Sequence, residues 1–224
     1  MGSTGMQRST FIRRVCGAIA ACLALAGCDA LPAPTGSTAP SPIAPHRIGV
    51  SNRAVVISGP AGYCIDKAAA RDTPAGAFVL LGSCAALAQS AAAGQPVAPA
   101  ILTASVSPPG AQPIGGQLPA LNAYFLSGEG RAALSRSGRA QSVTVAQAWG
   151  NGDVFYLVAQ DSSPSGGQRL QSTFWRAVFD VKGRIITLNV AGLKNQPLSP
   201  EAGRATLEAF VRQVQRENRA GLGG

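Results

Sequence analysis

Two neighbouring stretches, "SVTVAQAWGNGDVFYLVAQDS" and "STFWRAVFDVKGRIITLNVAGL", restrict this chain to a small set of folds. In the first, β-rich runs flank Gly150, Asn151, Gly152 and Asp153, residue types that tolerate the positive φ of tight hairpin turns. In the second, Asp180 to Gly183 forms the turn, and Trp175, Ala177 and Phe179 alternate with Arg176 and Asp180, as in a half-buried antiparallel strand. Two such hairpins present an apolar face that some other element has to cover.

The cover follows directly, because "SPEAGRATLEAFVRQVQREN" carries the signals of a long helix. Ser199 is placed to cap it, Pro200 stands where its missing N–H is harmless, and Glu201 lies in the first turn, where negative charge is favoured. Leu207, Phe210, Val211 and Val214 make one apolar stripe, and Glu208 and Arg212 face each other one turn apart outside it.

Upstream, "RAVVISGP", "AFVLLGSC" and "AILTASVS" read as strands, and "AALAQSAAAG" as a short helix. Pro108 to Pro119 is a proline- and glycine-rich loop, and "ALNAYFLSGEGRAALSRSG" gives one or two mid-chain helical pieces. The pattern predicts a single α+β domain, with an antiparallel sheet of about five to seven strands covered by a long C-terminal helix and a mid-chain helix.

The N-terminus carries an address. Arg8, Arg13 and Arg14 precede an apolar run from Val15 to Ala26 that is too short to span a bilayer, the layout of a secretory signal. Met6, ahead of the same basic segment, would also serve as a start. "LAGC" at Leu25 to Cys28 resembles the bacterial lipobox, and that resemblance implies a lipidated Cys28 and a membrane anchor on the periplasmic side. Asp29 resembles the signal that retains such proteins in the inner membrane. The expected organisation is a signal over 1–27, a lipidated N-terminus and proline-rich tether over 28–47, a globular domain over 48–219 and a tail over 220–224.

With Cys28 claimed by lipid and the compartment oxidising, Cys64 and Cys84 are left as an even pair and are expected to form a disulfide. Their spacing is not C-x-x-C, and the nearest cation to Cys64 is Lys67, so a structural staple is favoured over a redox role.

Several chemistries are disfavoured. The single histidine, His46, falls in the expected tether, away from any nucleophile on an ordered scaffold. Zinc would have to rely on Cys64, Cys84 and carboxylates such as Asp66 and Asp72 without imidazole. The ten acids show no spacing that singles out a catalytic pair, including Asp153 with Asp161 or Asp180, and there is no Walker loop or dinucleotide fingerprint. No cofactor, metal or nucleic-acid partner is expected, although the formal net charge is +9 and falls to +6 without the three signal arginines.

Two surfaces are candidates for a protein partner: the aromatic hairpins, through Trp149, Tyr156 and Trp175, and the basic last helix, through Arg212 and Arg216. Packing of the aromatics into the core is the competing expectation. The order of elements over Val55 to Arg216, closing on "FDVKGRIITLNV" and a long helix, resembles the PsbP-like fold. That resemblance implies an accessory or assembly role without catalysis. The expectation is therefore a lipid-anchored, non-enzymatic envelope protein with an envelope or membrane-protein partner. The alternative is a small-ligand receptor or a carboxylate-dependent hydrolase of the periplasm.

Overall fold

Each hairpin closes where its turn residues allow the chain to reverse. In the computed structural model, which describes residues 44–164 and 169–219, the last hairpin turns at Lys182 (φ 50°) and Gly183 (φ 69°). This is the paired positive-φ geometry that matches strand twist. Its arms are β8 (Leu170–Val181) and β9 (Arg184–Leu193), and the hairpin before it pairs β6 (Val143–Asn151) with β7 (Val154–Asp161). The earlier strands are β3 (Tyr63–Thr73), β4 (Gly76–Ser83) and β5 (Ala100–Val106). Together they form one seven-stranded sheet in the order β3-β4-β5-β9-β8-β7-β6, every neighbouring pair antiparallel. Two meanders thus meet where β9 returns to lie beside β5.

One face of this sheet is buried over most of its width, from β3 to β7. Ile65, Val79, Leu81, Leu102, Leu188, Val190, Trp175 and Phe179 lie on it beneath Leu207, Phe210, Val211 and Val214 of α4 (Pro200–Arg219). Ser199 Oγ accepts the Ala202 N–H at 3.2 Å, which caps that helix. A small hairpin, β1 (Arg47–Val50) with β2 (Val55–Ser58), shares this layer beside α4. Buried Asn218 of α4 binds the β2 backbone at two points: its Oδ1 accepts the Val56 N–H at 2.9 Å and its Nδ2 donates to the Val56 carbonyl at 2.8 Å.

The opposite face is covered over only part of its width. After a four-residue helix, α1 (Cys84–Leu87), the mid-chain segment forms α2 (Leu118–Leu126) and α3 (Gly128–Leu134). Ile114, Phe125 and Leu134 from this region pack on Val143, Phe155, Leu157, Ala159 and Val178 of β6, β7 and β8. The corresponding face of β4, β5 and β9 has no helix over it among the described residues, and Phe78, Leu80, Ile101, Thr103 and Ala191 are half-buried or exposed there. No described helix is long and apolar enough to cross a membrane.

Two strands had no counterpart in the expected pattern, β1 and β3. The middle of β3 runs Lys67-Ala68-Ala69-Ala70, without the β-branched residues that mark a strand. It holds its place through a bulge between Asp66 and Arg71, where Asp66 Oδ1 accepts the N–H groups of Ala68 and Ala69 at 2.9 and 3.2 Å.

Candidate functional site

Cys64 on β3 and Cys84 at the start of α1 form a disulfide, with both residues buried and their Cα atoms 4.8 Å apart. The expected pairing is present. What stands beside it corrects the reading of His46 as a tether residue. β3 is the sheet's edge strand, and its Ile65 N–H captures the Pro45 carbonyl at 2.7 Å, which docks the chain before β1 against the domain. His46 Nδ1 consequently lies 3.5 Å from Cys64 Sγ and 3.9 Å from Cys84 Sγ. The donor atoms of these three residues lie within 4.8 Å of one another, so imidazole does join the cysteines. While the disulfide is closed the trio offers one nitrogen and no thiolate, which is too little to hold zinc.

The aromatic set divides between the two faces of the sheet. Trp175 and Tyr156 are buried beneath α4, at 2% and 5% exposure, which removes both from any partner surface. Alternation explains this: residues on the helix-covered face of a strand are core. Trp149 is half-buried, stacked on Tyr156 with ring centroids 5.3 Å apart, and the Arg204 guanidinium lies 4.6 Å above its ring. Phe155 points the other way and stacks on Phe125 at 5.6 Å.

Arg212 and Arg216 are exposed on α4, as expected, but their surroundings already contain polar partners. Glu208 pairs with Arg204 at 2.9 Å and with Arg212 at 3.9 Å, and Arg216 donates to Gln213 Oε1. Arg47 meets Glu217 at 3.5 Å on the same helix. Such exposed pairs contribute little energy, yet they leave a weak basic field. Cys28 lies outside the described residues.

A second cluster surrounds Asp161, 1% exposed at the end of β7. Its carboxylate accepts the Arg136 N–H at 2.8 Å and the Ser163 N–H at 2.9 Å, and pairs with Arg136 Nε at 3.1 Å. Burial raises its pKa, but hydrogen bonds from Ser163, from the backbone of Arg136 and from Ser142 outweigh that and hold it at about 2. Ser135, Ser137, Ser142 and Ser163 share hydroxyl contacts of 2.7 to 3.2 Å beside it. An aspartate that acidic is too weak a base to activate a serine, so the cluster acts as a knot between the α3–β6 connection and the end of β7.

A third site involves a residue that alternation had assigned to a plain polar face. Between α3 and the uncovered part of the sheet lies a cleft of about 220 Å³, lined mainly by apolar groups including Ile101, Leu134, Leu170, Phe174 and Ala191. Half-buried Arg176 opens into it. Its Nε donates to Asn189 Oδ1 at 2.6 Å, Asn189 Nδ2 donates to Thr103 Oγ1 at 3.0 Å, and the guanidinium lies 5.6 Å from the Phe174 ring centroid. Among the described residues no carboxylate lies within ion-pairing distance of Arg176; the one acid that lines the cleft, Asp161, is paired with Arg136. Desolvation lowers the Arg176 pKa to about 10. The only signal in the sequence was an arginine in the middle of an aromatic-rich strand.

Each of the main clefts among the described residues is lined by at most one carboxylate, so none assembles the acid pair a glycosidase requires. Comparison with family models, with curated proteins and with solved structures finds no match to this chain.

Proposed function

We propose that the chain is a lipid-anchored, non-enzymatic binding protein of the bacterial envelope, held at the membrane through Cys28. In this reading its target docks on the uncovered face of β4, β5 and β9 rather than on the last helix. The observation that carries the reading is the contrast in charge and cover between the two surfaces. Arg204, Arg212 and Arg216 of α4 have carboxylate or amide partners along their own helix, whereas Arg176 sits at the margin of an uncovered apolar half-sheet with no carboxylate in ion-pairing distance among the described residues. Buried charge is normally paired, and apolar surface of this kind is normally covered, so both features favour an interaction there.

The resemblance of Leu25 to Cys28 to the lipobox supports the anchor. The test is a cross-linking pulldown from native membranes with two variants. Leu80→Asp with Ile101→Asp should lose the partner, whereas Arg212→Glu with Arg216→Glu should keep it. Loss with the helix variant alone would reverse the assignment. Metabolic labelling with a palmitate analogue that persists in Cys28→Ser would remove the anchor.

A further inference from the structure

We infer that the Arg176 cleft is a binding site for a monoanionic carboxylate carried on a short apolar chain, of the acyl type. The inference rests on the uncovered half-sheet being the binding surface and adds a small-ligand subsite at its margin.

The Arg176 guanidinium is held in place by a neighbouring amide and has no anion within ion-pairing distance among the described residues. Asn189 holds Nε at 2.6 Å and is itself held by Thr103, so the plane of the group is fixed by hydrogen bonds on one edge. Neither Nη atom has a hydrogen-bond partner among the described residues. The free edge is therefore a planar pair of donors, which matches the two oxygens of one carboxylate in a bidentate contact. Arg136 also lines the cleft but is paired with Asp161, so one cation is available, which suits a monoanion better than a phosphate dianion.

Most of the exposed lining is apolar, although Thr103, Gln171 and the Arg136–Asp161 pair also reach the cleft. Ile101, Leu134, Leu170, Phe174 and Ala191 form an apolar wall of the open cleft, against which a hydrocarbon chain gains from leaving water. The cleft, about 220 Å³ and open on one side, has room for a short chain along its apolar wall. Low polarity also strengthens the charge-assisted contact at the mouth. An anion in the cleft would offset the desolvation penalty on the Arg176 charge through its opposite charge.

Calorimetric titration of the full-length protein, purified unlipidated as Cys28→Ser, tests this with octanoate as the probe. Saturable one-to-one binding is expected, weaker by about tenfold or more in Arg176→Met, the change expected on losing a charge-assisted pair. Octanol, which lacks the charge, and acetate, which lacks the chain, should fall short by a similar factor. Ala191→Phe fills the cleft with the guanidinium intact and should abolish binding while near-ultraviolet circular dichroism stays native, so the result does not hinge on one variant folding. Octanoate binding that is unchanged in Arg176→Met, or matched by octanol, overturns the site. A peptide ending in a free leucine carboxylate reads the other source of the same chemistry, and preference for it over octanoate overturns the acyl assignment. If octanoate fails while the half-sheet cross-links, the binding surface stands and only the carboxylate is wrong.

Discussion

Gly203 of α4 lies directly against the indole of Trp175 on β8, so close that a Cβ at the glycine would fall among the ring atoms. Glycine in a helix interior normally costs about 1 kcal/mol relative to alanine. Here it lets α4 approach the sheet over the largest buried side chain of the core. The usual sign of a Gly→Ala change should therefore invert. Gly203→Ala is expected to destabilise by about 1–3 kcal/mol through overpacking. Urea unfolding measures it, and a rise in midpoint would contradict the packing.

Trp149 should behave as a structural residue despite its partial exposure. It stacks on Tyr156 and lies beneath Arg204, so Trp149→Ala removes an aromatic pair and a cation–π contact together. A loss of about 2 kcal/mol is expected, allowing for the half-buried site. An unchanged melting temperature would return Trp149 to the surface as a recognition residue.

The Cys64–Cys84 bridge spans a sequence separation of 20, and closing a loop of that size stabilises by about 3 kcal/mol in the chain-entropy model. The paired Cys64→Ser and Cys84→Ser variant should show that loss in denaturant. Intact mass of the exported protein should show no free thiol at either position, and finding two would remove the staple.

Asp161 gives the fold an acid limit. Its native pKa of about 2 lies below the ordinary aspartate value, so the stabilisation it provides is complete above about pH 4. It is lost as pH falls towards 2, and amounts to about 2 kcal/mol. Asp161→Asn should be less stable at neutral pH and should lose less stability than the parent between pH 4 and pH 2. Parallel pH profiles for the two proteins would show that the carboxylate does not carry this limit.

What was legible in the sequence is what local periodicity encodes. The hairpins around Gly152 and Lys182-Gly183, the capped α4 with its stripe of Leu207, Phe210, Val211 and Val214, and the two mid-chain helical pieces match the structure, although α2 starts at Leu118, inside the stretch expected as a loop, with Pro119 in its first turn. β3 was hidden because an alanine run carries no strand signal and its bulge depends on Asp66. The sequence also identified Cys64 and Cys84 but not the imidazole beside them, because His46 is brought there by one long-range hydrogen bond from Ile65 to Pro45. Gly203, Asn218 and Arg176 share that limitation. Each looks ordinary in its own element and acquires its role from a partner distant in sequence: Trp175, Val56 and the cleft beside α3.

The central claim is that the uncovered half of the sheet is the binding surface, and site-specific photo-cross-linking in intact envelopes tests it most directly. A benzophenone amino acid in place of exposed Phe78 should give a discrete adduct, whereas the same group in place of Arg212 should give none. An adduct from position 212 alone, or no adduct from position 78, would contradict the account.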